Sequence, residues 1–460
     1  MSEFHSLKIS PDLLAVVQEL GFERMTEVQA AAIPPLLEGK DLVGQSKTGS
    51  GKTLAFALPI LEKIDPSRRA TQALVLCPTR ELCTQVAREI RRLGRRINTL
   101  QVLIVSGGQP LGPQISALQK GAHIVVGTPG RLVDLIRKGR FDAGDINTLV
   151  LDEADRMLDM GFEDDMRVIL SEIPGTRQTV FFSATYPPSI QSLSGKYQNK
   201  PARITIEEPE DGKTSIQHVY FPAEQDEKPK ILSILLRKRD PEAALIFCNL
   251  KASIADITQK LRHEGFSADL ISGDLEQRER DEVLAKFRNG SVRFLVATDV
   301  AARGLDIAAL PLVVNYDMPV DTETYVHRSG RTGRAGQSGV AISLMAAHEK
   351  SKMMDIQLET PIRFEPGQLG PRGQGPLEPR PADMRTIYIA GGRKDKVRPG
   401  DLLGALTGEA GGLDASDVGK IEIHDRFSYV AVAREVAESV IKKLAHGRIK
   451  GQRFMIKLLD

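Results

Sequence analysis

The chain has 460 residues, 41% hydrophobic and 27% charged, with a formal net charge of +2; such a composition belongs to soluble globular proteins, and the length suits about three domains. Cys77, Cys83 and Cys248 form no CxxC pair, which argues against a disulfide framework or a cysteine zinc site and suits a reducing compartment. No apolar run approaches the roughly 20 residues of a bilayer span and the first residues lack the apolar core of a secretory signal, so the expectation is a cytoplasmic protein with no membrane partner.

In chain order, Asp41 to Gln45 reads as a strand and Thr53 opens a helical run to Leu61. Between them lies Ser46-Lys47-Thr48-Gly49-Ser50-Gly51-Lys52-Thr53. Glycines there let backbone amides wrap a phosphate, with Lys52 reaching the β and γ phosphates and the Thr53 hydroxyl ligating Mg²⁺. Ser46 stands where the general pattern has glycine, a modest departure. Taken alone, the stretch could also be a glycine turn without a ligand. Apolar runs follow at Ala73–Leu76, Val102–Val105, Ile124–Val126, Leu149–Leu151 and Val180–Phe182, each trailed by a helical pattern. That alternation implies a parallel sheet covered on both faces.

Asp152 and Glu153 directly follow Leu149–Leu151, hence the carboxyl end of a strand, where open α/β sheets bind ligands. Asp152 suits Mg²⁺ coordination and Glu153 suits orienting or deprotonating an attacking water. By itself, Asp152-Glu153-Ala154-Asp155 could be merely an acidic helix start. A charged, turn-rich stretch at 207–214 reads as a linker. The strand–helix rhythm resumes at Leu245–Phe247, Phe294–Val296, Leu312–Val314 and Val340–Ile342. Within it, Arg331 and Arg334 lie three apart in His327-Arg328-Ser329-Gly330-Arg331-Thr332-Gly333-Arg334. Guanidinium groups match phosphate oxygens in pairs, although such a cluster could also be plain surface charge.

Residues 364–382 are rich in Gly and Pro and read as a flexible tether. Beyond it, residues 383–460 hold 14 Lys and Arg against 11 Asp and Glu, a small basic excess. Strand, helix, two strands, helix and strand are expected there, at Thr386–Ile389, Pro399–Leu406, Ile421–Ile423, Tyr429–Val432, Glu435–Leu444 and Arg453–Leu458. This β-α-β-β-α-β order is the ferredoxin-like arrangement of RRM modules. Tyr388, Phe427 and Tyr429 sit where RRM aromatics stack on bases, but Asp425-Arg426 replaces the usual basic-glycine start. RNA contact through the flank, using Lys394, Lys396, Arg398 and Lys450, is the alternative. A protein-binding role for the module stays open as well.

Together these motifs resemble the DEAD-box RNA helicases over nearly the whole helicase core. The resemblance implies an α/β fold of two RecA-like parallel-sheet domains (1–206 and 215–363) plus a small C-terminal RRM-like (ferredoxin-like) α+β domain (383–460). It implies ATP and Mg²⁺ as cofactors, with Lys52, Asp152, Glu153, Arg331 and Arg334 catalytic and Thr53 and Asp152 on the metal. Gly21-Phe22, Thr26 and Gln29 look like that family's adenine-reading motif, with Phe4 as its stacking aromatic and Asp306 on the ribose. Ser46, Lys47, Thr48, Gly49, Ser50 and Gly51 complete the nucleotide contacts. Ser183-Ala184-Thr185 resembles the motif that couples hydrolysis to domain closure, together with Asp155, which would pair with His327. RNA-backbone contacts are implied for Pro78, Arg80, Gly108, Thr128 and Arg131 in the first domain, and for Thr298 and Arg303 in the second. Ser329 stands where the family usually has isoleucine.

Gly273 to Arg278, Arg398 to Gly408, Val418 to Ile421 and Tyr429 to Val432 further resemble the bacterial DbpA subgroup. That implies ribosomal RNA and pre-50S ribosomal particles as partners, with unwinding of short duplexes targeted to 23S rRNA. No obligate protein partner is evident. The alternative is an ATP-gated RNA clamp or scaffold with little unwinding turnover.

Overall fold

The structure is a computed structural model that describes residues 3–46, 50–206, 216–302, 310–333, 338–369, 378–408, 411–444 and 448–459. These divide into two compact units, the described residues up to 206 in the first and those from 216 onward in the second.

The first unit is built on β1 (Leu42–Gln45), β2 (Ala73–Leu76), β3 (Val102–Val105), β4 (Ile124–Gly127), β5 (Thr148–Asp152), β6 (Gln178–Ser183) and β7 (Ala202–Thr205). Their order is β3-β4-β2-β5-β6-β1-β7, and every neighbouring pair is parallel. β2, β4, β5 and β6 are buried along their whole length, which is why they read as unbroken apolar runs. Two apolar layers cover the sheet, one around Leu54–Leu61 and Val86, the other around Leu132, Met157 and Ile169. Since β5, β6 and β1 are adjacent and parallel, the segments that leave their carboxyl ends share one edge. Those segments carry the acidic tetrad, Ser183-Ala184-Thr185 and the phosphate loop.

In the second unit β8 (Ile216–Pro222), β9 (Ala244–Phe247), β10 (Ala268–Ile271), β11 (Phe294–Ala297), β12 (Leu312–Asn315), β13 (Gly339–Met345) and β14 (Phe364–Pro366) form another parallel sheet, in the order β10-β11-β9-β12-β13-β8-β14. The third sheet is antiparallel. It comprises β15 (Met384–Ile389), β16 (Val418–Ile423), β17 (Ser428–Ala433) and β18 (Ile456–Leu459), ordered β16-β17-β15-β18, with helices Pro399–Thr407 and Ala437–Leu444. Ile387, Ile389, Val430 and Val432 alternate onto its helix-covered face. The ferredoxin-like expectation holds.

Four strands escaped the sequence reading: β7, β8, β10 and β14. Three of them, β7, β10 and β14, are edge strands, and two are instructive. β7 alternates half-buried Ala202 and Ile204 with exposed Arg203 and Thr205, and β14 contains Pro366, which only an edge position tolerates. β14 also corrects the tether, because its first residues belong to a sheet. The Gly367 N–H donates to the Tyr220 carbonyl at 2.8 Å. Further on, the Arg380 carbonyl accepts from Arg293 Nη1 at 2.7 Å, and Ala382 is buried.

Candidate nucleotide and RNA sites

β1 ends at Gln45, and helix Lys52–Lys63 begins after Gly51, whose φ of +94° lies in the left-handed region. A Cβ on Gly51 would come within 2.5 Å of Gln29 Nε2, so conformation and space both demand glycine. Lys52, the first helical residue, is buried and donates from Nζ to the Ser46 carbonyl at 2.7 Å. Ser46 Oγ and Ser50 Oγ lie 3.1 Å apart across the loop, and Thr53 follows Lys52 in the first turn. Lys47, Thr48 and Gly49 lie outside the described residues.

Gln29 is the third residue of helix Glu27–Leu37. Its Oε1 accepts from the Thr26 N–H at 2.9 Å, and its Nε2 donates to the Gly51 carbonyl at 3.2 Å. Thr26 Oγ1 donates to the Ser50 carbonyl at 2.8 Å. The capping box of this helix therefore grips the phosphate loop, and these bonds leave one N–H and one lone pair of the Gln29 amide unused. Phe4 is a correction. It is 2% exposed and belongs to the apolar cluster with Leu13, Val17 and Met25, so without nucleotide its ring is packed in the core.

Asp152 ends β5, and Glu153 takes φ +56° before the short helix Ala154–Asp159. Burial pushes the Asp152 carboxyl up to about 7, only partly opposed by the nearby Lys52 ammonium. Asp152 Oδ1 is buried and has no hydrogen-bond partner among the described residues. A buried carboxylate oxygen in that state calls for a cation, and oxygen-lined Mg²⁺ sites are made of such groups, so Asp152 and the Thr53 hydroxyl fit that metal. Glu153 Oε2 accepts from Arg156 Nη1 at 2.7 Å inside the protein, which sets the direction of its carboxylate. Arg156 was missed by the sequence reading. Its only signal is a spacing of three residues from Glu153, one helical turn.

Asp155 turns toward β6. Its Oδ2 accepts from the Ala184 and Thr185 N–H groups, each at 2.9 Å, and from Thr185 Oγ1 at 3.2 Å, while its own N–H donates to Ser183 Oγ at 3.2 Å. The Ser46 N–H donates to the Ser183 carbonyl at 3.0 Å. One hydrogen-bonded unit thus joins phosphate loop, acidic tetrad and Ser183-Ala184-Thr185.

The first unit's expected RNA contacts lie past the carboxyl ends of β2, β3 and β4. Pro78 is buried, Gly108 is exposed with φ +69°, Thr128 caps helix Pro129–Arg137, and Arg80 and Arg131 are half-buried. Arg131 Nη1 donates to the Gln109 carbonyl at 3.0 Å, and the Gln109 side-chain oxygen, turned toward Arg80, accepts from Nη1 at 3.1 Å. Gln109 therefore holds both arginines together, a role that nothing in the sequence signalled.

In the second unit Thr298 follows β11, and its Oγ1 accepts from the Ala301 N–H at 3.4 Å. His327 lies on helix Thr322–Ser329, and Arg331 follows it, with its N–H donating to the Arg328 carbonyl at 3.1 Å. Arg303, Asp306 and Arg334 lie outside the described residues. Arg328, fully buried, was also missed. Its guanidinium clasps both Asp299 carboxylate oxygens, at 2.6 and 2.7 Å, and reaches Asn249 Oδ1 at 2.7 Å. It thereby locks the arginine-bearing helix to the segment after β11. Ser329 Oγ donates to the Tyr325 carbonyl at 2.9 Å, so the polar residue in place of isoleucine is satisfied within its own helix.

In the C-terminal module Lys394, Lys396 and Arg398 are exposed on one loop, and Lys450 Nζ donates to the Lys396 carbonyl at 2.8 Å, which joins the four positions. Tyr429 is the second correction. It is 0% exposed, and burial pushes its hydroxyl well up from the ordinary tyrosine range. It packs with Tyr388 and Leu459 against Ala285 of helix Gln277–Arg288, so the aromatic face is covered by protein and not offered to bases.

Residues 26–193 match the DEAD/DEAH box helicase family, residues 227–336 the helicase conserved C-terminal domain, and residues 386–458 the DbpA RNA binding domain. Over 462 residues, covering all of both chains, the sequence is 46% identical to the ATP-dependent RNA helicase DbpA of Escherichia coli K12. It is 37% identical to the Bacillus subtilis protein of the same name, with 99% of each chain covered. Among solved structures, Saccharomyces cerevisiae Dbp5 bound to RNA and ADP BeF3 superposes with a TM-score of 0.73 at 30% identity, over 80% of this chain and 96% of that one.

Proposed function

Because the chain belongs to the DEAD-box ATP-dependent RNA helicases, with a DbpA-type RNA-binding domain, we propose that it separates short duplexes in the 23S rRNA of pre-50S particles and that its module supplies the address. The observation that carries this reading is the hydrogen-bonded unit around Asp155. It ties Ser46 and Lys52, and Glu153 by way of Arg156, to Ser183-Ala184-Thr185, so a change at the phosphate is felt in the segment after β6.

Asp152 and Thr53 would hold Mg²⁺, whose chemistry is to neutralise charge on the β and γ phosphates. Lys52 balances the same charge, Glu153 orients the attacking water, and Arg331 and Arg334 stabilise the transferred phosphoryl group. Arg80 and Arg131, set together by Gln109, grip RNA phosphates without reading sequence. Lys394, Lys396, Arg398 and Lys450 bind the rRNA through the module's flank, which is supported by the exposed loop of the first three, by the Lys450 bond to it and by the closed sheet face. Among the described residues no helix is long and apolar enough to cross a membrane, and the proposed ribosomal substrate goes with a cytoplasmic location.

The testing experiment measures ATP hydrolysis by the full chain with 23S rRNA fragments and with unrelated RNA. One fragment should stimulate at far lower concentration than the rest. Charge reversal at Lys394, Lys396 and Arg398 should erase that preference while sparing turnover at saturating generic RNA. Equal stimulation by all RNAs, or an intact preference in the reversed variant, would overturn the assignment.

A further inference from the structure

In a parallel sheet with helical crossovers every helix returns to the amino edge of the strands, so the carbonyl ends of the helices gather at the edge opposite the nucleotide. In the first domain that edge is basic. The segments that enter β2, β4 and β5, residues 65–72, 118–123 and 137–147, hold six Lys and Arg against three Asp. Helix dipoles explain part of the excess: Lys120 directly follows helix Leu111–Gln119, and Arg137 ends helix Pro129–Arg137. Arg69 and Arg140 lie in loops, past the turn where a dipole acts.

The three segments form one surface, because β4, β2 and β5 are neighbours. The Gln72 N–H donates to the His123 carbonyl and the Asn147 N–H to the Gln72 carbonyl, each at 2.9 Å. A Cβ on Gly121 would meet the Arg69 Cβ at 3.0 Å, so the turn after Lys120 lies against Arg69. The Arg68 guanidinium pairs with Asp145 and joins the loops before β2 and β5. The other acids are also committed. Asp65 accepts from the Ser67 N–H at 2.9 Å and hydroxyl at 2.6 Å, Asp142 accepts from the Gly144 N–H at 3.0 Å, and Asp134 pairs with Lys138 at 2.7 Å. Arg69, Lys120, Arg137 and Arg140 remain, all exposed and without a carboxylate partner among the described residues. Like charges gathered in this way repel one another and weaken the compact state. Two of the four have no helix dipole to offset that repulsion, so folding alone does not account for them.

We propose that this amino edge of the first domain is a second RNA site, which takes phosphates of the folded RNA around the strand being separated. RNA is the substrate of the family to which the chain belongs. Three of the four groups are guanidiniums, whose planar forks match phosphate oxygens in pairs. The phenyl ring of these segments, Phe141, packs against the apolar layer beneath, so the contact is with backbone and blind to sequence. β2 and β4 are four residues long, about 13 Å, so the site does not share nucleotides with Arg80 and Arg131 past their carboxyl ends. It holds another segment of a larger RNA and anchors the domain while the opposite edge acts on the strand. The inference rests on the family's RNA substrate and not on the 23S rRNA assignment.

The test combines Arg69→Glu, Lys120→Glu and Arg140→Glu in the full chain. Fluorescence anisotropy follows binding of a short single-stranded oligonucleotide and of a long folded RNA of non-ribosomal sequence. Both are titrated with a non-hydrolysable ATP analogue over a series of KCl concentrations. On the folded RNA the plot of log K against log [KCl] should become shallower by about 2–3, at roughly 0.7–0.9 per lost phosphate contact. On the short oligonucleotide slope and affinity should match the parent. Arg69→Gln with Lys120→Gln and Arg140→Gln removes the same contacts more gently and should flatten the folded-RNA slope likewise, should the reversed variant fail to fold. Slopes unchanged on both RNAs, or changed equally on both, would overturn the proposal. A lowered melting temperature with unmoved RNA slopes would do so too, and would leave these cations to the helix dipoles. Binding of polyglutamate by the parent and not by the triple variant, with unmoved RNA slopes, would assign the surface to an acidic protein instead.

Discussion

Asp152→Asn should stabilise the nucleotide-free protein while abolishing its Mg²⁺-dependent turnover, and the stabilisation should depend on pH in a defined direction. In the folded chain burial holds the Asp152 carboxyl at about 7, whereas in the unfolded chain it titrates near the ordinary aspartate value. Between those values the folded state binds the extra proton, so stability falls as pH rises through the window and levels off above the folded pKa. From pH 5 to pH 8 the parent should lose about 3 kcal/mol on this account, taking roughly two units of effective difference at ~1.36 kcal/mol each. For a domain of this size that corresponds to about 6–12 °C in melting temperature. Asparagine carries no such proton, so the Tm gap between variant and parent, measured by calorimetry in EDTA, should widen from pH 5 to pH 8. Excess Mg²⁺ and ATP should reverse the order, because only the aspartate then gains a metal. A gap that is flat across this range, or a parent more stable than the variant at pH 8 without metal, would refute the claim that Asp152 is a strained, cation-seeking carboxylate.

Gly51→Ala should weaken ATP binding about tenfold, since it adds left-handed backbone strain of ~1–2 kcal/mol and pushes on the Gln29 amide; titration with a fluorescent ATP analogue measures it. Asp155→Ala leaves the Ala184 and Thr185 N–H groups without their acceptor, so strand separation should fall by about tenfold or more while ATP affinity changes little. Arg328→Lys removes the paired grip on Asp299 and should cost about 3 kcal/mol in urea unfolding. If Arg331 is the transition-state arginine, Arg331→Ala should lower turnover by about 10³-fold or more, read as kcat at saturating ATP and RNA.

The buried parallel strands and the phosphate loop were legible because their constraints are local. A strand covered on both faces must be apolar throughout, and the residue before helix Lys52–Lys63, left-handed and crowded by Gln29, has to be glycine. The acidic tetrad was equally legible, since it directly follows such a strand. What escaped depends on pairing across the chain. Arg156, Gln109 and Arg328 act by holding other functional side chains, and an arginine or glutamine that does so looks like any surface residue in sequence. An aromatic such as Phe4 near a nucleotide motif fits a core as well as a base, and its burial was not legible in the sequence. Tyr429 was misjudged for a related reason: an outward-facing tyrosine on an RRM-like strand reads as exposed until helix Gln277–Arg288 is known to lie on it. The stripe Arg278, Ala285 and Arg288 on that helix was the available clue.

The central claim, that ATP hydrolysis at Asp152 and Glu153 separates RNA strands at an address read by the module, is tested most directly by strand separation. A short RNA duplex joined to the preferred 23S rRNA fragment is mixed with the full chain, with Mg²⁺ and ATP, and the released strand is followed through many turnovers. The parent should release strands in step with ATP consumed, and Glu153→Gln should bind the same RNA and ATP yet fail to sustain turnover. Sustained release by Glu153→Gln, or ATP consumption by the parent with the duplex left intact as for a clamp, would contradict the account.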